Sequence, residues 1–523
     1  MADSNYRLFL CSIPLAFLML VFFMKAIFLG YSDYASYYFG SQELLKGNYL
    51  NVYDTATLNL LIKEQGFKEL FVSYTPFPPF TSLIYSPLIH IHINISKIIF
   101  NSISCIVFLI TLIRAVRYFS IPSFFLLLVP VIFYTPLRSN IFFGQSYLLL
   151  FCVLVEGYIA YDKKQLLLSS FLWAGAILFK IFPVLIVLFL LFNKKYKNIL
   201  FIMCFCGILF GLSILILGPD CWIFYLTKIF PRLSNGELND SFTYIFQSGF
   251  MLLKKIFIYD ELLNPDAVYH NPYLFVFTLA LFKAYIIAGC VIVSREIKEN
   301  KLLIFSICVM ASMLISPNGS TYSLILLIVP CIALFHSNCS LVQKVLICLL
   351  LVLICNIPIH YLQSFPVWMM FPRLYLMIAF FTFLLILCNI KFNYKILTGF
   401  FVLFFLIGSP TLFSETDKST YFFTKNRYDL IYNYYVRNDS VYCSYWTREG
   451  DKEAYIISHA DCSSKDLVLE NNQIYYRGFK ITDSPDWKKK PMLLYGEYII
   501  YLSDKNRGVG FYTLRKISLS NQF

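Results

Sequence analysis

One carboxylate stands out by where it falls in the chain. Asp33 follows the first long apolar run, residues 8–29, within a turn or so, in the stretch Gly30-Tyr31-Ser32-Asp33-Tyr34-Ala35-Ser36-Tyr37-Tyr38. A hydroxyl is a poor nucleophile until a positioned base takes its proton as it attacks, and a lone Asp among aromatic neighbours suits that task. The plainer reading is a solvated acid at a helix end. Tyr34 and Tyr37 could stack on a sugar-like ring or form part of an interfacial aromatic belt. Three cations hold comparable places. Lys180 lies between two short apolar halves, close to the helix-breaking Pro183; Arg138 is beside Asn140 and Gln145; Arg373 opens a late apolar run. Each could stabilise negative charge building on a leaving group, or serve only as a snorkelling, interfacial cation. His90 and His92 share a face only on a strand, and the cysteine spacing shows no metal set, so neither a metal nor a cofactor is expected.

The elements that must position these groups follow from composition. Of 523 residues 59% are hydrophobic and 14% charged, against about half and a quarter in an average soluble domain. Apolar runs of spanning length recur from residue 8 to residue 413, each long enough for a hydrocarbon core of roughly 30 Å. Candidate spans are 8–29, 95–113, 121–137, 146–161, 165–179, 181–192, 198–217, 273–294, 301–316, 321–337, 341–360, 372–390 and 396–413. The pair at 165–192 is short enough for a bent or re-entrant hairpin. The expected fold is an all-α polytopic membrane protein of about 11–13 transmembrane helices. The first run carries no cleavage site and reads as a retained anchor.

Lys and Arg in short loops mark the cytoplasmic side. With the amino terminus inside, fourteen of them, including Arg114, Lys163, Lys298 and Lys391, fall in the cytoplasm; Lys25, Arg138, Lys180 and Arg373 fall outside. The net charge of +13 is then topology and points to no nucleic-acid partner. Segments 30–94 and 218–272 become outer loops of a 1–413 membrane domain. Residues 414–523 become a small β-rich extracytoplasmic domain, with strand-like runs at 473–477, 498–501 and 510–514. Cys443 and Cys462 lie there, where a disulfide is permitted. Glu156, the one acid well inside a run, sits near a cytoplasmic end, where snorkelling accounts for it.

Several stretches resemble glycosyltransferase family 87. They are Asp33 after the first span, Leu44-Leu45-Lys46-Gly47-Asn48-Tyr49, Tyr74-Thr75-Pro76-Phe77-Pro78-Pro79, Gly144-Gln145-Ser146-Tyr147, Ala174-Gly175-Ala176 leading to Lys180-Ile181-Phe182-Pro183, and Ser316-Pro317-Asn318-Gly319-Ser320-Thr321-Tyr322. Their order and placement across residues 1–340 carry the likeness. The resemblance implies a GT-C-like architecture and an inverting transferase, typically of mannose, that uses a polyprenyl-phosphate sugar without an obligatory metal. Joined to the reading of the residues above, it makes Asp33 the expected general base and Gln145 an expected donor contact; of the cations, Lys180 is the first choice for the donor phosphate, Arg138 the second and Arg373 the third, and Tyr34, Tyr37, Asn318 and Tyr322 are expected to contact sugar. Two departures stand out: Thr321 replaces a common His, and Ser146 follows Gly144-Gln145 where Asn is common.

The implied partners are a polyprenyl-phosphate sugar donor, a glycan or glycolipid acceptor and the bilayer, here a bacterial inner membrane with the carboxy-terminal domain periplasmic. Two rival classes share the outline. An envelope polysaccharide polymerase or ligase would rest on arginines of a central outer loop, and Arg232 lies in 218–272. A lipid-glycan transporter would move substrate without breaking a glycosidic phosphate bond.

Overall fold

The computed structural model describes residues 2–521 except Ser32, Asn239, 298–299, Asn338, 391–392, 413–418, 424–428 and 448–449. Lys298, Lys391 and the expected domain boundary at 413/414 therefore lie outside the described residues. Helix dominates up to residue 412, and strands follow. Among the described residues four helices are long and apolar enough to cross a membrane: Tyr6–Phe28, Ile93–Tyr118, Tyr196–Leu217 and Pro272–Glu296. Seven more apolar helices have 10–17 residues. Helices of this composition suggest a membrane protein, since in lipid each backbone polar group must be satisfied within its own segment.

The run at 121–137 is not one straight helix. Phe125–Ile132 and Tyr134–Phe143 meet at 67°. Pro136 has no N–H to offer the carbonyl of Ile132. Asn356, from a helix more than 200 residues away, donates to that carbonyl at 2.9 Å and accepts from the Thr135 N–H at 3.1 Å. The stretch 165–192 breaks as well: Leu166–Lys180 ends at Ile181, whose φ of 55° is left-handed, and Phe182–Phe192 continues after it. Glu156 is paired with Arg114 at 3.0 Å, so its charge is met by a partner and not by snorkelling alone.

Segment 30–94 folds on itself. Helix Tyr34–Leu45 is buried over most of its surface. Gly40 admits Tyr74 so closely that a β-carbon would lie 2.0 Å from the ring. Asn59 zips the segment shut, donating to the Val72 carbonyl at 2.7 Å and accepting its N–H at 2.9 Å.

The described residues between 420 and 518 form three antiparallel sheets. The five-stranded sheet runs Thr420–Phe423, Thr513–Ser518, Tyr498–Ser503, Lys488–Leu494, Cys462–Ser463. A meander of Leu430–Arg437, Ser440–Thr447 and Gly450–Ile457 packs with it, and its first hairpin turns at Asn438-Asp439, both with positive φ. The expected run at 473–477 is a strand up to Tyr476, with Arg477 in the turn, and 498–501 lies within a strand; in 510–514 the strand starts only at Thr513. Cys443 and Cys462 are free thiols.

This domain is docked on both long segments of the helical part, a closer association than a tether. Tyr512 donates to Asp54 at 2.8 Å, and Lys489 pairs with the same carboxylate. Thr55 Oγ1 donates to the Val509 carbonyl at 2.8 Å, and Gly510 runs so near Asp54 and Thr55 that no side chain would fit. From segment 218–272, Arg232 donates to Asp504 at 2.9 Å and Glu237 at 2.6 Å, and Asp260 accepts from Tyr421 and Asn506. Burial works against the charge of Arg232, yet the two carboxylates hold it above arginine's ordinary value. Burial pushes the Asp504 carboxyl up to about 6. The described residues of segments 30–94, 218–272 and 419–521, which the loop charges were expected to put on one side, thus pack on one another.

Candidate functional site

Asp33 occupies the N-cap position of helix Tyr34–Leu45 but makes no side-chain bond to that helix. Its carboxylate is left for something else, at a helix end whose field favours negative charge. Gln145 reaches it. Helix Tyr134–Phe143 ends at Gly144, with φ of 64°, and the Gln145 N–H bonds back to the Asn140 carbonyl at 2.8 Å. A β-carbon at Gly144 would lie 2.7 Å from Cβ of Tyr34. Glycine is therefore needed twice, for the turn and for contact with the residue after Asp33. This approach delivers Gln145 Nε2 to Asp33 Oδ2 at 2.7 Å.

The bond is the last link of a chain. Lys180 Nζ donates to the Tyr37 hydroxyl at 3.1 Å, Tyr37 donates to Gln145 Oε1 at 3.0 Å, and Gln145 donates to Asp33. Every donor points from the cation toward the carboxylate, so each bond polarises the next. Desolvation raises the Asp33 carboxyl above its ordinary value, while the Gln145 bond and the charges of Lys180 and Lys97 pull it down. A carboxylate held this way is a better base than an exposed one.

Lys180 sits among aromatic faces. Its ammonium lies 4.6 Å from the ring centre of Phe77, 5.0 Å from Tyr147 and 5.4 Å from Tyr37. Among the described residues no carboxylate lies within ion-pair distance of it. A cation held by rings and one hydroxyl keeps donors available for an anion. The backbone beside it is strained, because the β-branched Ile181 is left-handed, a conformation that costs roughly 1–3 kcal/mol and gathers at functional positions.

The other expected residues divide. The Tyr34 hydroxyl is hydrogen-bonded to Ser96. The Tyr322 ring lies tilted against Tyr147, with centres 5.3 Å apart, which brings the late turn to the site. Asn318 is half-buried on that turn. Arg373 is buried and donates to Thr321 Oγ1 at 2.6 Å and to the Ile357 carbonyl at 2.6 Å; Thr321, standing where a His is common, is thus an anchor for Arg373. Arg138 is exposed over the Phe142 ring and takes no part in the chain of bonds. Lys97 was not singled out by sequence. It is buried at the start of helix Ile93–Tyr118, donates to the Gly30 carbonyl at 2.8 Å and lines a cavity of about 140 Å³ with Asn94 and Asn101. Its signal was a lysine just inside an apolar run.

Residues 74–317 match the sequence profile of glycosyltransferase family 87. The chain thus carries a glycosyltransferase family 87 domain over those residues, the family its motifs resemble, and this implies a membrane glycosyltransferase. Gln145 and Lys180 fall within the match; Asp33, Asn318, Tyr322, Arg373 and the β-rich domain fall outside it. No curated protein and no solved structure matches the chain.

Proposed function

We propose that the protein transfers a hexose, such as mannose, from a polyprenyl-phosphate donor to a cell-surface glycan or glycolipid at the outer face of a bacterial inner membrane, with inversion. The chain of bonds from Lys180 through Tyr37 and Gln145 to Asp33 is the observation that carries this reading. Asp33 takes the proton of the acceptor hydroxyl as its oxygen attacks the anomeric carbon. The bond from that carbon to the phosphate oxygen breaks on the far side, and the electron pair leaves with the phosphate, whose charge Lys180 meets. The amino terminus is cytoplasmic, and the packing of 414–523 on 30–94 supports a β-rich domain on the same outer side as Asp33. Arg232, on which a polymerase or ligase would rest, is 4% exposed and committed to Asp504 and Glu237. The test is Asp33→Asn in purified protein given polyprenyl-phosphate sugar and acceptor, with product followed by mass. Transfer should be lost while insertion and the unfolding midpoint are kept; turnover at the wild-type rate would overturn the assignment of the base.

A further inference from the structure

Two buried amides stand in the same unusual state beside the late turn. Gln247 is 5% exposed, and its Nε2 donates to the carbonyls of Tyr244 at 2.7 Å and Met370 at 2.8 Å. Asn140 is 1% exposed, and its Nδ2 donates to the carbonyls of Pro136 and Tyr322, both at 2.9 Å. With two carbonyls on each nitrogen, neither amide can be turned round, because an oxygen in that place would face oxygens. Yet Gln247 Oε1 and Asn140 Oδ1 are both buried without a hydrogen-bond partner. Natural interiors leave few polar atoms in that condition, and each asks for an explanation.

Both amides are tied to one short segment. The Gln247 N–H donates to the Gly319 carbonyl at 2.9 Å, and Asn140 holds the carbonyl of Tyr322, three residues on. Asn318 Oδ1, next to Gly319, is a third buried oxygen without a partner. Gly319 lies so close to Gln247 that a β-carbon would come 2.7 Å from its carbonyl oxygen, so the turn and Gln247 form one unit. Residues 315–319 of this turn are half-buried. On its other side the Tyr322 ring meets Tyr147, over which the Lys180 ammonium sits.

The chemistry of these atoms selects a ligand. Amide oxygens accept hydrogen bonds and donate none, so they repel phosphate and attract O–H groups. We infer that Gln247 and Asn140 form a hydroxyl-reading subsite for the transferred sugar, a neutral polyol, next to the cationic place that Lys180 offers its phosphate. This rests on the proposed transfer reaction and adds a division of labour to it: lysine holds the leaving group, and the amides choose the sugar. A site built to bond a hydroxyl discriminates strongly against a ligand that lacks it, because its own buried groups are then left unpaired.

The experiment uses the full chain in detergent. Native mass spectrometry measures binding of farnesyl phosphate and of farnesyl phosphate carrying mannose, glucose or galactose, together with mono-deoxy forms of the hexose held best. At least one hexose should bind about tenfold tighter than farnesyl phosphate alone, and removal of one hydroxyl should abolish that gain. In Gln247→Met the gain should vanish while affinity for farnesyl phosphate stays within twofold, an outcome that a general packing defect would not give. If that variant does not fold, the deoxy series on the wild-type chain decides by itself. Equal binding of every deoxy form, or a sugar gain unchanged in Gln247→Met, overturns the inference. Sugar-dependent binding without any transfer would instead defeat the proposed reaction and leave the subsite standing; transfer without a sugar-dependent gain would do the reverse.

Discussion

Two places in this molecule bring carboxylates and cations together from distant parts of the chain, and they do so in opposite ways. At the docked β-rich domain the charges touch: Arg232 bonds Asp504 and Glu237 directly, and Lys489 bonds Asp54. Around Asp33 they are kept apart, with Gln145 and Tyr37 between the carboxylate and Lys180. Direct contact spends each charge on its partner and holds two bodies together. Separation by neutral relays leaves an acceptor at one end and a cation at the other, each still able to meet a substrate. The first arrangement suits architecture and the second suits chemistry.

That contrast can be broken by substitution, and the largest effect should fall on the separated pair. Asp33→Asn should lower transfer by about 10²–10⁴-fold, the usual worth of a positioned base, with no loss of stability in a thermal scan. Lys180→Met should follow, weakening use of the donor far more than use of the acceptor in initial-rate measurements; equal loss for both would make it a packing residue. At the touching pair the order reverses. Arg232→Met leaves Asp504 buried without its cation, which should cost about 3–5 kcal/mol of stability and loosen 414–523 to protease, read by the unfolding midpoint and by cleavage rate.

A smaller effect lies in the pH profile. Burial raises the Asp33 carboxyl, and a base must be ionised to work, so the acid limb of activity should sit above the ordinary carboxylate range. The Gln145 bond lowers that value, so Gln145→Met should move the limb to still higher pH; a limb that stays in place would remove Gln145 from the relay. Smallest of all, Arg138→Ala should leave transfer and stability close to wild type, since the side chain is exposed over Phe142.

Much of this was legible along the chain because it depends on near neighbours. Long apolar runs become helices, a glycine after residue 143 becomes a left-handed turn, and alternating aromatic stretches after residue 419 become strands. Asp33 and Lys180 were visible as charges at the mouths of apolar runs. Nothing local, however, could show that the relay joins them, since its middle residues come from positions 37 and 145. The same holds for the bend at Phe133. Pro136 announces a missing donor, but only the fold brings Asn356 to the stranded carbonyl.

The sequence by itself determined which segments are apolar enough for a membrane, where charge is permitted and where the chain turns, because solvation and backbone sterics act over a few residues. Tertiary structure alone decided which charges meet. It set Tyr512 on Asp54 across 458 residues, left Gln247 and Asn140 with unpaired oxygens beside one turn, and kept Asp33 and Lys180 apart by two neutral side chains. Those outcomes depend on contacts whose strength falls off over a few ångströms in space, and closeness in space bears no fixed relation to distance along the chain.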